Sequence, residues 1–128
     1  MNGHRIMVID DEEIVGKMIK ASFGKDDYLV ETFLDAKPAL ARLKEEKFDV
    51  VITDLKMRNI DGMEVLKTIK KESPGIKVIM ITAYASLDAA VEAFRKSADD
   101  FFAKPVKLAD LKACIKKLLN ETSGLQKA

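Results

Sequence analysis

The chain has 128 residues, 48% of them hydrophobic, and its 22 Lys and Arg against 21 Asp and Glu leave a net charge of +1. That length suits one domain, that apolar content excludes a disordered chain, and that charge balance gives no overall pull toward nucleic acid or an anionic membrane. Cys114 is the single cysteine, no apolar run approaches the roughly 20 residues of a membrane span, and no signal peptide is evident, so a soluble cytoplasmic protein is expected.

Residues 5–9 read as a first buried strand, and 12–23 as a helix with Ile14, Met18, Ile19 and Phe23 on one face. A turn over 24–27 leads to an alternating second strand at 28–33. Asp35 is placed to cap a helix reaching about residue 46, with Pro38 tolerable in its first turn. Val50, Val51 and Ile52 form a β-branched run of the kind buried on both faces of a sheet, and Asp54 stands where it stops. After Asp61-Gly62, Met63, Leu66 and Ile69 mark a third helix that ends near Ser73-Pro74-Gly75. Residues 78–81 read as a fourth strand, and Leu87, Ala90, Val91 and Phe94 are expected to face inward from a fourth helix. Residues 100–103 make a short fifth strand, and Leu108, Leu111, Ile115 and Leu118 mark the last helix. Residues 1–120 therefore read as one domain and 121–128 as a polar C-terminal tail.

Strand and helix alternate five times through short connections, which implies an α/β fold with a parallel sheet and helices on both faces. Parallel strands end at one edge, where ligands collect in such folds. Asp10 and Asp11 follow the first strand, Asp54 ends the third, Thr82 ends the fourth and Lys104-Pro105 follows the fifth. Three crowded carboxylates repel one another unless a cation offsets them. Oxygen-only ligands of this kind suit Mg²⁺, which keeps sites free for phosphate oxygens. With a lysine and a hydroxyl opposite, the set describes a site that holds a phosphoryl group. Taken singly, each residue has a plainer reading. Asp10 and Asp11 could cap a helix, Thr82 could be a buried hydroxyl and Lys104 a surface charge.

The pieces Val8-Ile9-Asp10-Asp11-Glu12, Thr53-Asp54-Leu55-Lys56-Met57, Asp61-Gly62, Ile81-Thr82-Ala83 and Lys104-Pro105, in this order, make the chain resemble a bacterial two-component response-regulator receiver domain. The resemblance covers residues 5 to about 120. It implies a flavodoxin-like, doubly wound five-stranded parallel sheet of order 2-1-3-4-5. It implies that Asp54 takes a phosphoryl group from the phosphohistidine of a histidine kinase or phosphotransfer protein. Asp11, Asp54 and the Lys56 backbone carbonyl would ligate Mg²⁺ directly, and Asp10 through water. Lys104 would pair with Asp54 at rest and with the phosphoryl group afterwards, while Thr82 and Phe101 would switch together. Such a domain is a signalling switch, not an enzyme in its own right. The fourth helix, fifth strand and last helix would form its output surface toward a downstream protein or output domain, and a homodimer could form there. The resemblance implies no direct nucleic-acid or membrane binding, and a Lys104-Pro105 bond that is cis.

The chain departs from that family at three places. Arg58 stands where Pro is usual, which should loosen the loop. Ser97 stands where Gly is usual, so a left-handed residue there would cost about 1 kcal/mol. Phe101 replaces the commoner Tyr. Lys56 and Tyr84, two residues beyond Asp54 and Thr82, are expected over the acyl phosphate, where bulky Tyr84 would shield it from water. His4 is expected to be solvated, Cys114 to pack rather than react, and Lys107, Lys112, Lys116 and Lys117 to form a solvated face. A flavodoxin-like cofactor binder fits poorly, because Asp10-Asp11-Glu12-Glu13 would repel a phosphate. A phosphohydrolase of the haloacid dehalogenase type would need a second Asp where Lys56 stands. The remaining alternative is a receiver-shaped interaction module acting largely without phosphorylation.

Overall fold

Every residue of the strand carrying Asp54 is buried, and the sheet is built outward from it. In a computed structural model describing residues 3–57 and 60–124, with side chains described through residue 120, the strands are β1 (Arg5–Ile9), β2 (Leu29–Phe33), β3 (Val50–Asp54), β4 (Lys77–Thr82) and β5 (Asp100–Ala103). They form one sheet in the order β2-β1-β3-β4-β5, and each neighbouring pair is parallel. The helices are α1 (Glu13–Gly24), α2 (Ala36–Glu45), α3 (Gly62–Glu72), α4 (Leu87–Arg95) and α5 (Leu108–Gly124).

The period-two alternation of the strands sorts the core into two layers. Ile6, Val8, Val50, Ile52, Ile79 and Ile81 face α1 and α5, where they meet Ile19, Phe23, Leu111 and Ile115. Met7, Ile9, Val51, Val78 and Met80 face the other way, onto residues of α2, α3 and α4 such as Ala39, Leu66 and Ala93. The doubly wound arrangement follows from apolar residues on both faces of each central strand.

Two helices turn unexpected faces to the sheet. In α1, Ile19 and Phe23 are buried as expected, but Ile14 and Met18 are 59% and 51% exposed. The contact runs through Gly16, where an added Cβ would lie 3.0 Å from the Thr32 Cβ. Ile14 and Met18 stand roughly 200° of helix rotation from Gly16, on the far side. In α4 the expected inward set is corrected more thoroughly. Leu87, Val91 and Phe94 are exposed and Ala90 is only half-buried, whereas Ala93 is fully buried and Ala89 packs on the core. The layer beneath α4 already holds Met63, Met80 and Phe101, and alanines let the helix settle on it.

The last helix continues to Gly124, taking in the first four residues of the expected tail; residues 125–128 and Arg58 lie outside those described. Lys112 is not simply solvated, since its Nζ donates to the Ser22 carbonyl at 3.1 Å and pairs with Asp26 at 2.8 Å, tying α5 to the end of α1. Burial and a hydrogen bond to Asp100 at 3.1 Å push the Cys114 thiol up to about 12, in line with packing rather than reactivity.

Ser97 closes α4 with φ 75°, in the left-handed region. Ser97 N–H donates to the Phe94 carbonyl and Ala98 N–H to the Ala93 carbonyl, the paired bonds that end a helix through a left-handed residue. Glycine adopts that conformation without a Cβ clash. Ser97→Gly is therefore expected to raise stability by about 1 kcal/mol, read as a higher urea midpoint at unchanged slope.

Candidate functional site

Sheet register brings the site together before any side chain is considered. Ile9 pairs with Thr53, so the next residues, Asp10 and Asp54, come side by side at the C-terminal edge. Asp54 pairs with Ile81, and Thr82 pairs with Ala103, so Thr82 and Lys104 follow on the adjoining strands. The chain then leaves each strand through the same local device. Asp10 Oδ1 accepts from Glu12 N at 2.9 Å, Asp54 Oδ1 from Lys56 N at 3.2 Å, and Thr82 Oγ1 from Tyr84 N at 3.0 Å. Short polar side chains that bond the backbone two residues on favour this turn. In each case the side chain is held at the edge and the loop is turned away from it.

Lys104 N–H donates to the Thr82 carbonyl at 2.8 Å, and the Lys104-Pro105 bond is cis. The ammonium then reaches across the edge. It lies 2.8 Å from Asp10 Oδ2, 2.9 Å from Asp54 Oδ2 and 2.7 Å from Glu12 Oε1. The Asp10 and Asp54 side chains are 1% and 6% exposed, so these are interior charges that need a partner. Burial alone would lower the Lys104 pKa, but its three carboxylate neighbours more than reverse that and raise it. The lysine therefore stays charged throughout the physiological range.

Burial pushes the Asp10 carboxyl above its usual range, opposed by the nearby Lys104 ammonium and a hydrogen bond from the Glu12 backbone. A carboxyl whose folded value lies above its unfolded one costs stability as pH rises from 3.8 through the raised value. Holding Asp10 ionised at neutral pH is thus a cost the fold bears at this edge. Asp10 Oδ2 makes no hydrogen bond despite its closeness to the ammonium.

Three carboxylates facing one ammonium leave the site in deficit of positive charge. Asp10, Glu12 and Asp54 each offer an oxygen within 4.8 Å of the others, a donor set that fits a hard divalent cation such as Mg²⁺. Among the described residues Glu12 belongs to this cluster and Asp11, expected as a direct ligand, does not; Asp11 sits beside it, half-buried. Glu12 was missed because an acid at a helix start reads as a cap. Its side chain forms no capping bond, and its partner is 92 residues away, beyond any local signal.

Gly62 supports the site from below. Its N–H donates to the Leu55 carbonyl at 2.6 Å, where α3 starts against the end of β3. Phe101 is half-buried on the core layer that α4 covers. Tyr84 is 61% exposed, and Lys56 Nζ lies 4.9 Å from the centre of its ring. The two side chains meet between the loops that follow β3 and β4.

Comparison with known proteins agrees with this geometry. The sequence profile of the response regulator receiver domain matches residues 6–116. The transcriptional regulatory protein QseB of Haemophilus influenzae is 31% identical over 120 residues, covering 94% of this chain and 54% of that protein. The chain spans about half of QseB and about a quarter of other curated relatives it matches. A CheY-like response regulator receiver domain protein from Methanospirillum hungatei superposes with a TM-score of 0.91 at 33% identity, covering 96% of this chain and 98% of that one. A response regulator from Burkholderia pseudomallei, solved with a phosphorylated aspartic acid and a calcium ion, superposes with a TM-score of 0.84. It is 25% identical and covers 96% of this chain and 72% of that chain. Among the described residues no helix is long and apolar enough to cross a membrane.

Proposed function

The chain belongs to the response regulator receiver domain family, and on that footing we propose that it is a cytoplasmic phosphoryl-accepting switch whose acceptor is Asp54. One observation carries the proposal. A carboxylate 4% exposed at the sheet edge has one oxygen on a backbone N–H and the other on a lysine shared with two further acids. Phosphoryl transfer asks little covalent chemistry of a protein and much positioning and charge neutralisation, which this arrangement supplies. An Asp54 carboxylate oxygen attacks the phosphorus of a kinase or phosphotransfer-protein phosphohistidine. The new O–P bond forms as the N–P bond breaks, and the imidazole nitrogen keeps the electron pair.

Asp11 and Asp54, with the Lys56 carbonyl, would hold Mg²⁺ and Asp10 would do so through water; the bound ion would neutralise phosphoryl oxygens. Lys104 pairs with the phosphoryl oxygens once Asp54 is esterified. Thr82 exchanges its bond from Tyr84 N–H for one to the phosphoryl group, and Phe101 turns inward as it moves. The switch is a shift between two packings biased by new charge. The apolar stripe of Leu87, Val91 and Phe94 on α4 supports an output surface there, for a downstream protein, an output domain or a second copy. Intact-mass measurement after incubation with Mg²⁺ and a small phosphodonor tests the reading. One phosphoryl group per chain, on Asp54, is expected, and attachment elsewhere overturns the assignment.

Tyr84 and Lys56, each two residues beyond a site residue and in contact with one another, would shield the acyl phosphate from water. Tyr84→Ala is expected to shorten the half-life of the phosphorylated protein by a factor of a few. An unchanged decay rate would remove Tyr84 from the shielding role.

A further inference from the structure

We propose that the groove between α4 and the loop joining β3 to α3 is a docking site for a cationic amphipathic segment of a partner protein. The groove encloses about 690 Å³ where the chain leaves β3 and β4, a size at which clefts take ligands. Met57, Ile60 and Met63 give it an apolar side. Met63 is 4% exposed and anchors that strip in the core, while Met57 and Ile60 are half-buried and keep surface for an occupant. Methionine, unbranched and polarisable, adapts to the side chain laid against it.

Charge decides what that occupant is. The chain as a whole carries +1, yet Asp61, Asp88 and Glu92 line the groove against Lys56 alone. Asp61 and Asp88 stand at the starts of α3 and α4, where an acid also serves its own helix. Glu92 has no such reason. It lies one turn after Asp88 on the same flank of α4, and like charges four residues apart weaken a helix. Lys96 offsets Glu92 at 2.9 Å, but Asp88 has no ion pair among the described residues. A cation entering between Asp88 and Glu92 relieves that repulsion. One end of the groove already holds a cation, since Lys56 Nζ lies 4.9 Å from the centre of the Tyr84 ring. Phosphate-bearing surfaces, nucleic acid or lipid, would meet three acids here and be repelled. An apolar strip beside acids instead calls for both kinds of side chain on one segment, as an amphipathic helix provides. Leu87, Val91 and Phe94 lie about 120° round α4 from Asp88 and Glu92, so the groove is distinct from that stripe.

Amide NMR of the full chain, titrated with three synthetic peptides of about 14 residues, roughly four helical turns each, is the test. One peptide carries leucine at helical spacing and lysine elsewhere; the second exchanges lysine for glutamate, and the third exchanges leucine for alanine. The leucine–lysine peptide is expected to bind and to shift the amides of Lys56, Ile60, Asp61, Asp88 and Glu92. The two controls are expected to bind about tenfold more weakly or not at all, through like charge in one and lost apolar contact in the other. The chain with Asp88→Asn and Glu92→Gln together should lose about three- to tenfold in affinity for the leucine–lysine peptide, as two exposed ion pairs account for. Both residues are exposed, so its urea midpoint should stay near the parental one. No binding of the leucine–lysine peptide, a control that binds as tightly, or parental affinity in the variant overturns the proposal. So do shifts confined to Leu87, Val91 and Phe94, or to Val15, Met18 and Leu108, which would place the peptide on another face. Shifts that follow protein concentration without peptide would give the groove to a second copy, and overturn it too.

Discussion

Asp54→Asn is expected to abolish phosphoryl acceptance, leaving the intact mass unchanged under conditions that add one phosphoryl group to the parent. The amide keeps the shape of the side chain, and its oxygen can still accept from Lys56 N–H. It lacks the anionic oxygen that attacks phosphorus, and its nitrogen would face the Lys104 ammonium, now 2.9 Å from Asp54 Oδ2. Neither Asp10 nor Glu12 is placed to substitute cleanly, since both are already held on Lys104. Mg²⁺ binding should weaken as well, because one of the clustered carboxylates is gone. Phosphorylation of Asp54→Asn at the parental level would show that the acceptor lies elsewhere. An unmodified parent that binds Mg²⁺ would favour an interaction module acting without phosphorylation.

Gly62→Ala is expected to cost about 3 kcal/mol or more of folding stability and to displace the phosphoacceptor loop. A Cβ at Gly62 would run into the Asp54 carbonyl oxygen and stand 2.7 Å from the Leu55 Cα and carbonyl oxygen. These are backbone atoms at the end of β3, so no rotamer change relieves the clash. The strain would fall on the peptide units that aim Asp54, and Mg²⁺ affinity should drop along with the urea midpoint. A variant with parental stability and Mg²⁺ affinity would show that the loop yields more easily than its packing implies. Gly24, with nothing within 4 Å of an added Cβ, offers the control substitution.

The first expectation rests on the convergence of strand ends, and that convergence was legible in the sequence. Five alternations of strand and helix require a parallel sheet, and a parallel sheet carries Asp10, Asp54, Thr82 and Lys104 to one edge. The turn at each strand end is local as well, set by a short polar side chain bonding the backbone two residues on. Asp35 as a helix cap was legible for the same reason, since the group it satisfies, Lys37 N–H, is two residues away. The left-handed cost at Ser97 belongs here too.

Tertiary structure alone decided what depends on how closely two elements approach. Periodicity marks the direction of the apolar side chains of a helix but not which side meets the sheet. Gly16 brings α1 against Thr32, and Ala89 and Ala93 bring α4 onto a layer already filled by larger residues. Ile14, Met18, Leu87, Val91 and Phe94 are left facing outward in consequence. Gly62 reads as a loop glycine in the sequence, and only its packing against the β3 backbone shows why a side chain cannot fit. The ion pair of Glu12 with Lys104 is of the same kind. Acidic residues at a helix start are ordinarily caps, and a lysine 92 positions away is invisible to local rules until the sheet closes the distance to 2.7 Å. Chemical character along a chain follows from residue type and spacing, whereas the partners of a buried or bridging charge are set by distances that only the folded packing creates.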